Sequence, residues 1–124
     1  MTRDDALVIK LVTHDIHRVN VANGWWEDRK AIADAHPRGK HQVILAALAL
    51  VVSEVAEAME AVRKHDPTTW ADTKTKDTFA RELAGATIRI MDLAAWTGVD
   101  LGEAISAELE ANKARWHRHG GKAA

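Results

Sequence analysis

Between His41 and Lys64 apolar residues return with the period of an α-helix: Ile44, Leu48, Val51, Val55, Met59 and Val62 follow one another at spacings of 4, 3, 4, 4 and 3. That rhythm lays them along one stripe of a helix and does not fit the two-residue alternation of a half-buried strand. Similar periods run from Arg3 to Ala22 (Leu7, Leu11, Ile16, Val19), from Asp77 to Thr97 (Leu83, Thr87, Ile90, Ala94) and from Leu101 to about His117 (Leu101, Ile105, Leu109, Trp116). The breaks between them have a chemical cause. Asn23-Gly24 stops the first segment, and Asp66-Pro67 ends the second because a residue before proline avoids right-handed helical geometry. Gly98 closes the third, and Asp100 with Glu103 offers a capping box to the fourth. The expectation is an all-α four-helix bundle forming one domain over residues 1–124, with a long loop at about 24–40 and a flexible basic tail at about 118–124.

Bulk properties narrow the function. At 124 residues and 47% hydrophobic content the chain can bury one core. A net charge of −1 makes no general case for nucleic acid or an anionic membrane. The absence of cysteine excludes disulfides, thiolate metal sites and cysteine nucleophiles. MTRDDALVIKLVTHD lacks the apolar run of a signal peptide, and Val43 to Val52 is too short to span a bilayer. A cytoplasmic protein is expected.

The chemistry rests on acids. Glu54 and Glu57, in SEVAEAME, are three residues apart and share a helix face. At 100° per residue Glu54 lies about 60°, and Glu57 about 120°, off the edge of the apolar stripe. Glu82 follows in the next long helix, on a face that also carries Gly85, Arg89, Asp92 and Trp96. Two helices that each turn acids inward can hold a hard divalent cation such as Mg²⁺, whereas the plainer reading of such a pair is a solvated acidic edge. The histidines give no zinc pattern: His14 and His17 are three apart without a companion pair, and His117 and His119 cannot share a helix face.

NGWWEDR, SEVAEAMEAVR, ELAGATIRIMDLAAWTGVDL and the N-xx-R-xx-RHGGK tail, in that order, resemble the MazG-like nucleoside triphosphate pyrophosphohydrolases, nearest to the small phage-type members, over most of the chain. The family pattern is Glu-x-x-Glu, a spacer, then Glu-x-x-Asp. Glu54 and Glu57 match the first half and Glu82 opens the second. Gly85 stands where the family has its fourth acid, and Glu108 where relatives often carry lysine. The resemblance implies cleavage between the α- and β-phosphates of a (d)NTP, giving the monophosphate and pyrophosphate. It implies Glu54, Glu57 and Glu82 as catalytic Mg²⁺ ligands, with Mn²⁺ as a substitute. Asp92, on the same face but roughly 10 Å along the axis from Gly85, is a poor replacement for the missing ligand; a second cation, a water or Arg89 lies within its reach. Arg115, Arg118, His119 and Lys122 are the cations for the phosphates, and Asn112 for sugar or phosphate. Of Trp25 and Trp26 one is expected in the core and the other on a nucleobase, where a large purine such as dGTP suits them. Trp70, Trp96 and Trp116 are read as packing or subunit-contact residues. Members of the family form homodimers or homotetramers, and AALALVV with the exposed side of the third helix are the candidate contacts. Two other readings fit the same residues: a nucleotide-binding bundle that no longer cleaves, using the space at Gly85, and a helical protein-interaction module with solvated acids.

Overall fold

The computed structural model describes residues 1–115, which form five α-helices and no strand. They are α1 (Arg3–Ala22), α2 (Glu27–Ala35), α3 (Gly39–Lys64), α4 (Phe79–Thr97) and α5 (Leu101–Ala114), with a 3-10 turn at Pro67–Thr69. Local chemistry accounts for the ends. Thr2 and Asp5 form a complete capping box on α1. The Thr78 and Asp100 side chains accept from the backbone N–H groups of Arg81 and Glu103, capping α4 and α5. Gly98, at φ +79°, ends α4, and the following Val99 N–H donates to the Ala94 carbonyl.

The segment 24–40 is not a long loop. It contains α2, which raises the helix count from four to five. Glu27 and Asp28 sit in the first turn of α2, where acids complement the helix dipole. Alanines carry the helix on, and it stops because His36, before Pro37, is extended. The third expected segment also begins later than Asp77. Thr78 takes the capping position, so the helix opens at Phe79.

α3 packs most extensively on α4, α1 lies against α4 and α5, and α2 folds back onto α3. Gly102 permits the α1–α5 contact, since a Cβ there would stand 2.1 Å from the Ala6 carbonyl oxygen. The buried core is small: Trp26, Val43, Ala47 and Leu93, flanked by Ala33, Ile44 and Trp96.

The helices bury other faces than their apolar stripes suggest. On α3 the buried residues are Gly39, Val43, Ala47, Ala58 and Ala61, with half-buried Glu54 on the same face. That face lies roughly 90° around the helix from the Ile44–Val62 stripe. Of the stripe, Leu48, Val55, Met59 and Val62 are exposed. On α4 the buried residues are Glu82, Ala86, Asp92, Leu93 and Ala94; of the expected stripe Ala94 is buried, while Leu83 and Ile90 face out. α1 likewise buries Thr13 and Asn20 and exposes Leu7, Leu11 and Val19. Small residues let α3 and α4 approach closely, and this brings their acids together.

α3 as a whole, 26 residues, is long and apolar enough to cross a membrane by length and composition, unlike the Val43–Val52 stretch alone. It packs on α2 and α4 and carries Glu54, Glu57 and Glu60 in its second half, while only 17% of its most apolar stretch is buried within the chain.

Candidate metal centre

α4 runs back along α3, so the i, i+3 acids of α3 meet the first turns of α4. Ligand oxygens of Glu54, Glu57 and Glu82 all lie within 4.8 Å of one another. The three differ in setting: Glu57 is exposed, Glu54 half-buried and Glu82 only 6% exposed. Burial, reinforced by the neighbouring Glu57 and Glu54 carboxylates, pushes the Glu82 carboxyl up to about 7. Among the described residues no cation stands against Glu82.

Gly85 lies one turn beyond Glu82, and its side-chain position is taken up by another residue. A Cβ at this position would lie 2.6 Å from Glu54 Oε2 and 3.1 Å from its Cδ. The Glu54 carboxylate therefore occupies the volume that a side chain at 85 would fill. Its other oxygen, Oε1, accepts from Arg89 Nε at 3.1 Å. Arg89 thus faces an acid of the cluster, and its guanidinium lies 5.7 Å from the centre of the exposed Trp25 ring.

Asp92 does not join this group. It is 3% exposed, accepts from His17 Nδ1 at 2.6 Å, and its two oxygens share the Trp26 Nε1–H at 3.0 Å each. Asp92 is thereby an anchor for the loop before α2. Trp26, 6% exposed, stacks on Trp96 at 4.9 Å and carries the Arg29 guanidinium at 4.6 Å from its ring centre. Of the two adjacent tryptophans, Trp26 is the core residue and Trp25 the one open to solvent. Trp70 packs against Phe79.

A cleft of about 490 Å³ opens beside the acids, lined by Glu57, Glu60, Ala61, Lys64, His65, Asp77 and Glu82. Sequence reading missed Asp77, Lys64, His65, His17 and Arg29 as neighbours of functional side chains. His17 was noticed only for its three-residue spacing from His14, which gave no zinc pattern and held no pointer to Asp92. Asn112 and Arg115 are exposed at the end of α5, and Arg118, His119 and Lys122 lie outside the described residues.

Comparison of the chain with protein-family models, curated proteins and solved structures finds no match.

Proposed function

We propose that this chain is a Mg²⁺-dependent nucleoside triphosphate pyrophosphohydrolase of the MazG-like kind, acting in the cytoplasm on a (d)NTP with a purine deoxynucleotide such as dGTP favoured. The observation that carries the reading is Glu82, a residue only 6% exposed whose carboxylate meets two other carboxylates with no compensating cation among the described residues. Burying an uncompensated charge is costly, and a solvated acidic edge would give no reason for it. A hard divalent cation that prefers oxygen ligands turns this repulsion into a coordination set. The donor set fits Mg²⁺ or Mn²⁺: three carboxylates, no sulfur and no imidazole among them.

When bound, the metal supplies charge neutralisation for the polyphosphate and a water of lowered pKa. The protein supplies position. Arg89 fixes one oxygen of Glu54, leaving the other directed towards Gly85. Glu57, exposed on the cleft, is the group that orients the attacking water and takes its proton. Trp25, with Arg89 beside it, offers the base a stacking surface. Asn112, Arg115, Arg118, His119 and Lys122 serve the sugar and phosphates. One observation favours a second reading, that of a nucleotide binder without turnover: Arg89 already neutralises part of the acid cluster through Glu54.

The active species is a homodimer or homotetramer. What supports this is surface that a lone chain leaves uncovered. The chain exposes 9048 Å², against about 6,600 Å² for a compact monomer of its mass. A standard interface needs about 800 Å² per partner. The outward stripes of α3 and α4 converge on an apolar groove lined by Val55, Met59, Val62, Phe79 and Leu83.

The test is pyrophosphate release on mixing the protein with Mg²⁺ and a panel of triphosphates. Glu54→Gln, Glu57→Gln and Glu82→Gln are each expected to lower turnover at least about 100-fold while circular dichroism is unchanged. Near-wild-type turnover in any two overturns the assignment. A thermal shift by nucleotide without pyrophosphate release selects the second reading.

A further inference from the structure

The face of α3 turned away from the bundle carries Leu45, Leu48, Val52, Val55, Met59 and Val62, at spacings of 3, 4, 3, 4 and 3. All six are exposed, Leu45 by 66% and Val52 by 67%. The stripe that the fold leaves uncovered thus takes Leu45 and Val52 in place of the half-buried Ile44 and Val51. Its mean spacing is about 3.5 residues, the repeat by which two helices keep one seam against each other along their length. The seam runs for about 26 Å. Ala49 and Ala56 flank it, and its flanking positions carry no charge before Arg63. Small uncharged flanks let a second helix come close.

The pattern also says which helix fits. Turned end for end about a point between Ser53 and Glu54, the six positions map onto one another: Leu45 onto Val62, Leu48 onto Met59 and Val52 onto Val55. In that pairing the leucines of one half lie over the other half, where Val55, Met59 and Val62 with Phe79 and Leu83 of α4 line a groove of about 380 Å³. Continued one step outward, the register sets His41 against the partner's Asp66, a donor against an acceptor, whereas a parallel pairing would set His41 on His41 and Asp66 on Asp66. Antiparallel helices also oppose their dipoles.

We propose that this face of α3 is occupied by α3 of a second copy, antiparallel across a two-fold axis beside Val52 and Val55, with Leu45 and Leu48 of each chain seated in the groove of the other. Such a contact is isologous and closes at a dimer. It covers the most apolar stretch of α3, only 17% buried within the single chain. The inference rests on the self-association proposed above and gives it a face and a register.

Because the chain has no cysteine, introduced thiols report position without background. Leu48→Cys, Met59→Cys and the double variant are oxidised in air and run on gels without reductant, beside light scattering of wild type. In the antiparallel register Met59 lies opposite the partner's Leu48 but roughly 16 Å along the axis from the partner's Met59, beyond the reach of a disulfide. The double variant should therefore pass mostly into a covalent dimer, with each single variant about ten-fold less crosslinked. Single variants that crosslink as fully as the double, or a dimeric wild type whose double variant does not crosslink, overturn the proposal and leave self-association standing. A monomeric wild type overturns both, and its sedimentation with phosphatidylcholine vesicles would assign the face to a lipid surface instead.

Discussion

Removing the charge of Glu82 is expected to stabilise the metal-free protein at alkaline pH, although the same change should disable the site. The carboxyl is pushed from 4.5 to about 7 by burial and by its two acidic neighbours. A group whose folded-state pKa is raised holds its proton more tightly in the folded chain. Its stabilising contribution is complete below about pH 4.5, declines as pH rises and is lost through about 7. At 1.36 kcal/mol per pKa unit the shift corresponds to roughly 3 kcal/mol. Solvent in the cleft that Glu82 lines screens part of this, so the figure is an upper bound. Glu82→Gln keeps the shape and removes the titration. The assay is urea unfolding in EDTA at a fixed protein concentration, from pH 5 to pH 8, for both proteins. Relative to the variant, wild type should lose up to roughly 2 kcal/mol over that range. At pH 8, Mn²⁺ at about 100 times its dissociation constant should return roughly 2.7 kcal/mol to wild type, and much less to the variant. Parallel pH profiles for the two proteins, or a variant less stable than wild type at pH 8 without metal, would refute the reasoning and make Glu82 an ordinary solvated acid.

Gly85→Ala removes a glycine from a helix interior, worth about 1 kcal/mol of helix propensity, but its Cβ would displace the Glu54 carboxylate now 2.6 Å away. The melting temperature should hold or rise while calorimetric Mn²⁺ affinity falls about ten-fold; unchanged affinity would show that Glu54's position there is incidental. Val55→Glu and Met59→Glu, on the exposed α3 stripe, should convert an oligomer into a 13.6 kDa monomer by light scattering. A wild type that is already monomeric removes the basis for self-association.

How far the sequence reached depended on the range of the interaction involved. Caps and stops act over three or four residues, so Asn23, Asp66, Gly98 and Asp100 marked their boundaries correctly. The acid pair was equally legible, because the i, i+3 relation of Glu54 and Glu57 is fixed by helix geometry alone. α2 was not, since EDRKAIADA between two breaks reads as a loop until packing on α3 supports a helix of nine residues.

By itself, then, the sequence determined a helical chain, the approximate ends of α1, α3, α4 and α5, and the three glutamates as a set. The tertiary structure decided which faces meet. A helix such as α3 has two apolar faces, one of alanine and valine and one of larger aliphatic residues, and periodicity gives both the same signal. The small-residue face was chosen because it lets α4 come close, and that choice turned Glu54 and Glu82 towards each other and left Val55 and Met59 outside. Asp92 went to His17 and Trp26, which are 75 and 66 residues away in the chain. Glu54 filled the volume at Gly85, and Asp77 came to line the same cleft as Glu57. Such contacts join segments whose separation in sequence carries no record of their separation in space, so only the docked helices reveal them.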